Sequence, residues 1–74
     1  MNEKVFQSSH LQRGVYDPAT GNLEIEFVNG QRYTYEGVPQ EKWEALTRAV
    51  SPGKFLHNWI KGSHNSRPMG TSET

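Results

Sequence analysis

Residues 23–35 read LEIEFVNGQRYTY, two runs of alternating character on either side of Asn29-Gly30. Leu23, Ile25 and Phe27 alternate with Glu24, Glu26 and Val28, and Tyr33 and Tyr35 alternate with Arg32, Thr34 and Glu36. Side chains on a strand point alternately to opposite faces, so each run predicts a strand with one dry side. Asn-Gly between such runs predicts a β-hairpin. A two-residue loop at Asn29-Gly30 would set Phe27 against Arg32 and Ile25 against Thr34, and both tyrosines would join the glutamate face. A three-residue loop, Val28-Asn29-Gly30, sets Ile25 against Tyr33 and Leu23 against Tyr35, and gathers all five large side chains on one side. Glu26 then faces Arg32, and Glu24 faces Thr34. Burying each large side chain is worth roughly 1.5–3 kcal/mol, which outweighs a preference between turn types. The prediction is therefore the bulged turn, with Gly30 in the left-handed position.

The rest of the chain is placed around that hairpin. Residues 1–4 are expected to fray, and 5–16 to contain the first strand, with Leu11 and Val15 inward and Tyr16 as a further candidate. The step from Leu11 to Tyr16 has the wrong parity for one face, and a bulge near Gly14 would repair it. The turn cluster Asp17-Pro18-Ala19-Thr20-Gly21-Asn22 joins this strand to the hairpin as an antiparallel neighbour. After Gly37, Val38-Pro39 redirects the chain into a helix over 39–49, with Trp43, Leu46, Ala49 and Val50 as its inward stripe. Ser51-Pro52 starts a second helix that ends at Gly62. Phe55, Leu56, Trp59 and Ile60 make its apolar face, and Lys54, His57, Asn58 and Lys61 the opposite one. Residues 62–74 are rich in Ser, Gly, Thr and Asn and are expected to be a disordered tail. The fold class predicted is α+β: a three-stranded antiparallel β-meander followed by two α-helices packed on one face. It forms a single domain over 5–61.

Composition narrows the function classes. The chain has 74 residues and no cysteine, which leaves no disulfide framework and no thiolate metal site. Hydrophobic residues make up 32% and aromatics 11%, so the core must lean on aromatic rings. No long apolar run or signal-peptide pattern is present, so a soluble, cytoplasmic protein is expected. Zero net charge argues against nucleic-acid binding through bulk charge alone. The charge is uneven, however. Seven of the eight acids lie at or before Glu44, while residues 54–67 hold three basic residues, His57 and His64, and no acid.

Each candidate site has an ordinary alternative. Lys54, His57 and Lys61 fall at i, i+3 and i+7 on the second helix, and with Arg48 upstream they offer a basic stripe to phosphates. The ordinary alternative is a solvated face. Tyr33 and Tyr35 are rings on which bases could stack, but the register places them beneath the helices, and core packing is the stronger expectation. Ser8, Ser9 and His10 lack an acid to orient the imidazole, and catalysis is not expected. Backbone hydrogen bonding is the expected role of the two serines. His10, His57 and His64 lack metal-ligand spacing. Glu24 and Glu26 share a wet face, where a surface ion pair between Glu26 and Arg32 is expected. Trp43 and Trp59 are expected in the core.

One wider pattern runs through Ser8-Ser9, Tyr16-Asp17, Leu23-x-Ile25-x-Phe27-x-x-Gly30-x-x-Tyr33-x-Tyr35, Val38-Pro39 and Ala49-x-Ser51-x-Gly53, with Ile60 downstream. It resembles the KTSC domain, a family named for its occurrence at the C-terminus of some lysyl-tRNA synthetases and found also as small stand-alone bacterial or phage proteins. The resemblance spans residues 5–61, and Tyr33-Thr34-Tyr35 matches the family's YxY signature. It implies a fold and, through a suggestion made for the family, RNA as a partner.

The function expected from the sequence is thus a small non-enzymatic binding module without cofactor or metal. It would bind RNA through Arg48, Lys54, His57 and Lys61, with Tyr33 and Tyr35 as further candidates. The alternative is a protein-interaction module, a monomer or weak homodimer, that self-associates through an exposed sheet edge.

Overall fold

The computed structural model describes residues 2–64 and 66–71. The hairpin forms in the bulged register. Leu23 pairs with Tyr35, Glu24 with Thr34, Ile25 with Tyr33 and Glu26 with Arg32. The Gly30 N–H donates to the Phe27 carbonyl at 3.0 Å, and Gly30 sits at φ 91°, a conformation that favours glycine. Gathering the large side chains on one face thus outweighs the tighter two-residue turn.

The sheet has five antiparallel strands in sequence order rather than the three expected: β1 (Asn2–Val5), β2 (Leu11–Asp17), β3 (Asn22–Phe27), β4 (Gln31–Tyr35) and β5 (Ser66–Thr71). The meander of β2, β3 and β4 is the predicted one, and each of its outer edges is taken by a further strand. Residues 2–4, expected to fray, pair with β2 together with Val5, although all four residues of β1 are exposed. Residues 66–71, expected to be part of a disordered tail, pair with β4. Edge strands need no dry face, so neither announces itself by alternation. Pro68 is tolerated in β5 because an edge strand can spare one N–H. Met1, and Asn65 and residues 72–74 of the expected tail, lie outside the described residues.

The parity break in β2 is repaired two residues earlier than predicted, by a register shift between Leu11 and Arg13. Leu11, Gly14 and Tyr16 consequently face the helices, and Val15, expected inward, pairs with Glu3 and Glu24 on the outer side. On that side Arg13 reaches Glu3 at 3.1 Å and Glu26 at 4.0 Å, so Glu26 finds its cation in β2 and not in Arg32, its cross-strand neighbour.

Helix α1 (Gln40–Arg48) follows Pro39, which holds extended dihedrals at the helix's N-terminal boundary. Helix α2 (Pro52–Phe55) begins at Ser51 without a side-chain cap and continues into a π-helical turn over Leu56–Lys61. The core lies between these helices and the sheet. Trp43, Leu46, Leu56 and Ile60 from above meet Leu11, Tyr16, Leu23, Ile25 and Tyr35 from below, with Phe6 and Val38 filling the ends. Two further apolar residues expected inside are outside: Val50 is fully exposed, beyond the end of α1, and Trp59 is 59% exposed. Leu56 and Ile60 are buried against the sheet, while Phe55 and Trp59 form a second row at the rim, their rings 6.4 Å apart.

Candidate functional site

Ser8 sets the first wall of the site. Its Oγ accepts hydrogen bonds from the N–H groups of His10 (3.1 Å) and Leu11 (3.3 Å), turning the chain into β2. The His10 carbonyl accepts the Val28 N–H at 2.9 Å, which ties this turn to the hairpin tip. The His10 ring lies over the start of α2, so close that a Cβ on Gly53 would stand 3.1 Å from its Cδ2. A side chain at position 53 would have to push the exposed His10 ring aside by a few tenths of an ångström. The Ser8 hydroxyl is thus engaged with backbone, as expected, and its bond to His10 is to the amide and not to the imidazole.

The hairpin is the second wall and the helical segment the third. Between them lie two adjoining hollows of about 400 and about 340 Å³. The first is lined by Phe27, Asn29, Gln31, Tyr33, Tyr35 and Ser66 among others, and the second by Leu11, Gly53, Lys54, Leu56 and His57. His10, Phe27 and Lys61 line both, so the two form one continuous groove. Among the described residues no carboxylate lines either hollow. The exposed Lys54, His57 and Lys61 stand along the helical wall.

Five of the six residues singled out in the sequence therefore meet at this groove: Lys54, His57, Lys61, Tyr33 and Tyr35. Arg48 does not. It is exposed on α1, and its guanidinium pairs with Glu44 one helical turn back at 3.5 Å. The two tyrosines differ. Tyr35 is 1% exposed and forms floor, and burial first, then the neighbouring Tyr33, pushes its phenol up to about 12. Tyr33 is half-buried, meets Phe27 edge-on at 6.0 Å and stacks on Tyr35 at 6.4 Å, which leaves part of its ring to the groove. His10, Phe27, Asn29 and Gln31 were not read from the sequence as site residues. The hairpin and its turn residues were visible there, but the meeting of that tip with α2 is a tertiary fact.

A second polar cluster lies at the far end of the π-helical turn. Lys42 Nζ donates to the Trp59 carbonyl and to His64 Nε2, both at 2.9 Å. Desolvation, then the Lys42 charge, lowers the His64 pKa below its ordinary 6.5, against a backbone hydrogen bond with Glu36. Among the described residues no group of three or more His, Asp or Glu side chains is placed to hold a metal ion.

The family model for the KTSC domain matches residues 7–64. This chain belongs to the KTSC domain family. The crystal structure of a KTSC domain protein from Yersinia pestis superposes with a TM-score of 0.87 at 35% identity, covering 93% of this chain and 97% of that one. An uncharacterized protein of Stutzerimonas stutzeri is 41% identical over 64 residues, covering 86% of this chain and 90% of that protein. A lysine–tRNA ligase of a Nostoc species is 38% identical over 56 residues, 76% of this chain and 10% of the ligase. Tyr33-Thr34-Tyr35 lies on β4 within the matched span, and its two rings stand at the groove's wall and floor.

Proposed function

We propose that this KTSC domain is a small non-enzymatic module that binds RNA in the groove between the hairpin tip and the second helical segment. One observation carries the reading: Lys54, His57 and Lys61 line a groove in which no carboxylate stands among the described residues, and aromatic side chains form its other wall. An anionic, ring-bearing polymer matches both halves of that arrangement. The Nostoc relative is a lysine–tRNA ligase, a protein that handles RNA, which favours the same class of partner. The groove would act locally, since net charge is zero and no long-range attraction to nucleic acid exists. A cytoplasmic, monomeric protein fits this role; no described helix is long and apolar enough to cross a membrane.

The alternative, self-association through a sheet edge, has less to stand on. The edges of β2 and β4 are taken by β1 and β5, and the new β1 edge carries Glu3 and Lys4, charges that discourage strand pairing.

The test is fluorescence anisotropy with labelled bulk-sequence RNA across a salt series. Binding at low salt with affinity falling steadily as salt rises is expected. Undetectable binding at low salt, or an affinity indifferent to salt, would overturn the reading.

A further inference from the structure

The larger hollow differs from a plain phosphate track. Its walls are rings and amides: Phe27 and Tyr33 set edge to face, with Asn29 and Gln31 from the hairpin loop beside them. Asn29 Oδ1 accepts the Gln31 N–H at 3.1 Å, so its NH2 remains as a donor fixed to the loop. The cations stand along the smaller hollow, and Lys61 lies where the two join. Apolar ring surface, amide donors and acceptors, and a charge at the shared border are the parts needed for one nucleotide whose base is free of the helix stack.

A duplex cannot use this arrangement. Its bases are stacked and paired inside, and its outer surface offers sugars and phosphates, which find no partner in an aromatic hollow. We infer that the groove takes an unpaired nucleotide of single-stranded RNA, its base against Phe27 and Tyr33 and its phosphate at Lys61, with neighbouring phosphates along Lys54 and His57. This inference rests on the RNA-binding reading and adds the strandedness of the ligand and the place of the base. Tyr35, buried as floor, supports Tyr33 and takes no base itself.

The experiment compares three labelled probes with equal phosphate counts: a single-stranded RNA of mixed sequence, the same sequence fully paired, and an abasic strand. Base stacking on an aromatic is worth enough to expect the single strand to bind about tenfold tighter than either of the others. Tyr33→Leu and Phe27→Leu keep apolar bulk and remove the rings, and each should bring the single strand towards the abasic value while the circular dichroism spectrum stays native. Equal, salt-dependent binding of all three probes would overturn the base site and leave the RNA-binding reading standing. Full affinity for the single strand in both leucine variants would also overturn the base site. Binding of none would overturn both.

Discussion

The Tyr16 hydroxyl donates a 2.5 Å hydrogen bond to the carbonyl of Val38, twenty-two residues away. The bond ties β2 to the linker that launches α1, and the Tyr16 ring stacks on Trp43 of that helix at 5.7 Å and 12°. Both ends are buried, so the carbonyl has no water to replace the phenol. Burial, then the nearby Asp17 carboxylate, raises the Tyr16 pKa, so the group stays a donor through the physiological range. Tyr16→Phe keeps the ring and strands the acceptor. Its expected cost is about 1–3 kcal/mol, read as a lower urea midpoint with an unchanged slope. An unchanged midpoint would show that the bond contributes nothing.

Gly14→Ala should be at least as damaging. A methyl group there would stand 3.1 Å from Phe6 Cε2, 3.1 Å from Trp43 Cζ3 and 3.2 Å from Ile25 Cδ1. Three neighbours from three parts of the fold must give way at once, and two are rigid rings. Overpacking of this kind costs about 1–3 kcal/mol. Thermal melting of the variant should show a lower midpoint. A gain in stability, as expected of Gly→Ala in open extended backbone, would mean that the site has room.

Gly14 also marks where sequence reasoning stopped. The alternation around Asn29-Gly30 specified the hairpin register, because only one pairing puts Leu23, Ile25, Phe27, Tyr33 and Tyr35 together. The need for a bulge in β2 was visible too. Its place was not, since a glycine has no side chain to say which face it occupies, and the error turned Val15 inward. Trp59 failed for another reason. Phe55, Leu56, Trp59 and Ile60 form one broad apolar stripe at helical spacing, but only Leu56 and Ile60 are buried, and Trp59 on its outer row is exposed. The strands β1 and β5 left no periodic signal because backbone pairing at an edge asks nothing of side chains. At the groove, the spacing of Lys54, His57 and Lys61 was legible. Their meeting with His10 and the hairpin tip depends on contacts between distant parts of the chain.

His64 gives the fold a pH dependence with a definite sign. The Lys42 ammonium has only donors, so His64 Nε2 must accept, and the ring bonded to Lys42 is neutral. The folded-state pKa lies below the ordinary 6.5, so at pH values between the two the unfolded chain binds more protons. The contribution is full above 6.5 and is lost as pH falls through the folded-state pKa. Stability should therefore decline as pH falls below 6.5 through this group. Lys42→Met removes the repulsion, raises the His64 pKa towards 6.5 and flattens the decline. Histidine ring titration by NMR reads the first effect, and urea midpoints at several pH values read the second. A His64 titration unmoved in the variant would sink the assignment.

Lys61 and Arg48 should separate in a salt series, although the sequence placed both on the candidate surface. Lys61 lies at the border of both hollows, while Arg48 is engaged with Glu44 away from them. Each cation that neutralises a phosphate of a single strand adds about 0.7 to the slope of log affinity against log salt. Lys61→Ala and Lys54→Ala should each reduce that slope by about 0.7 and weaken binding at low salt. Arg48→Ala should leave both unchanged. All three side chains are exposed, so the folded state should survive each substitution with little change in stability. Binding lost equally in Arg48→Ala would move the interface to α1. A slope unchanged in both lysine variants would mean that RNA does not occupy the groove.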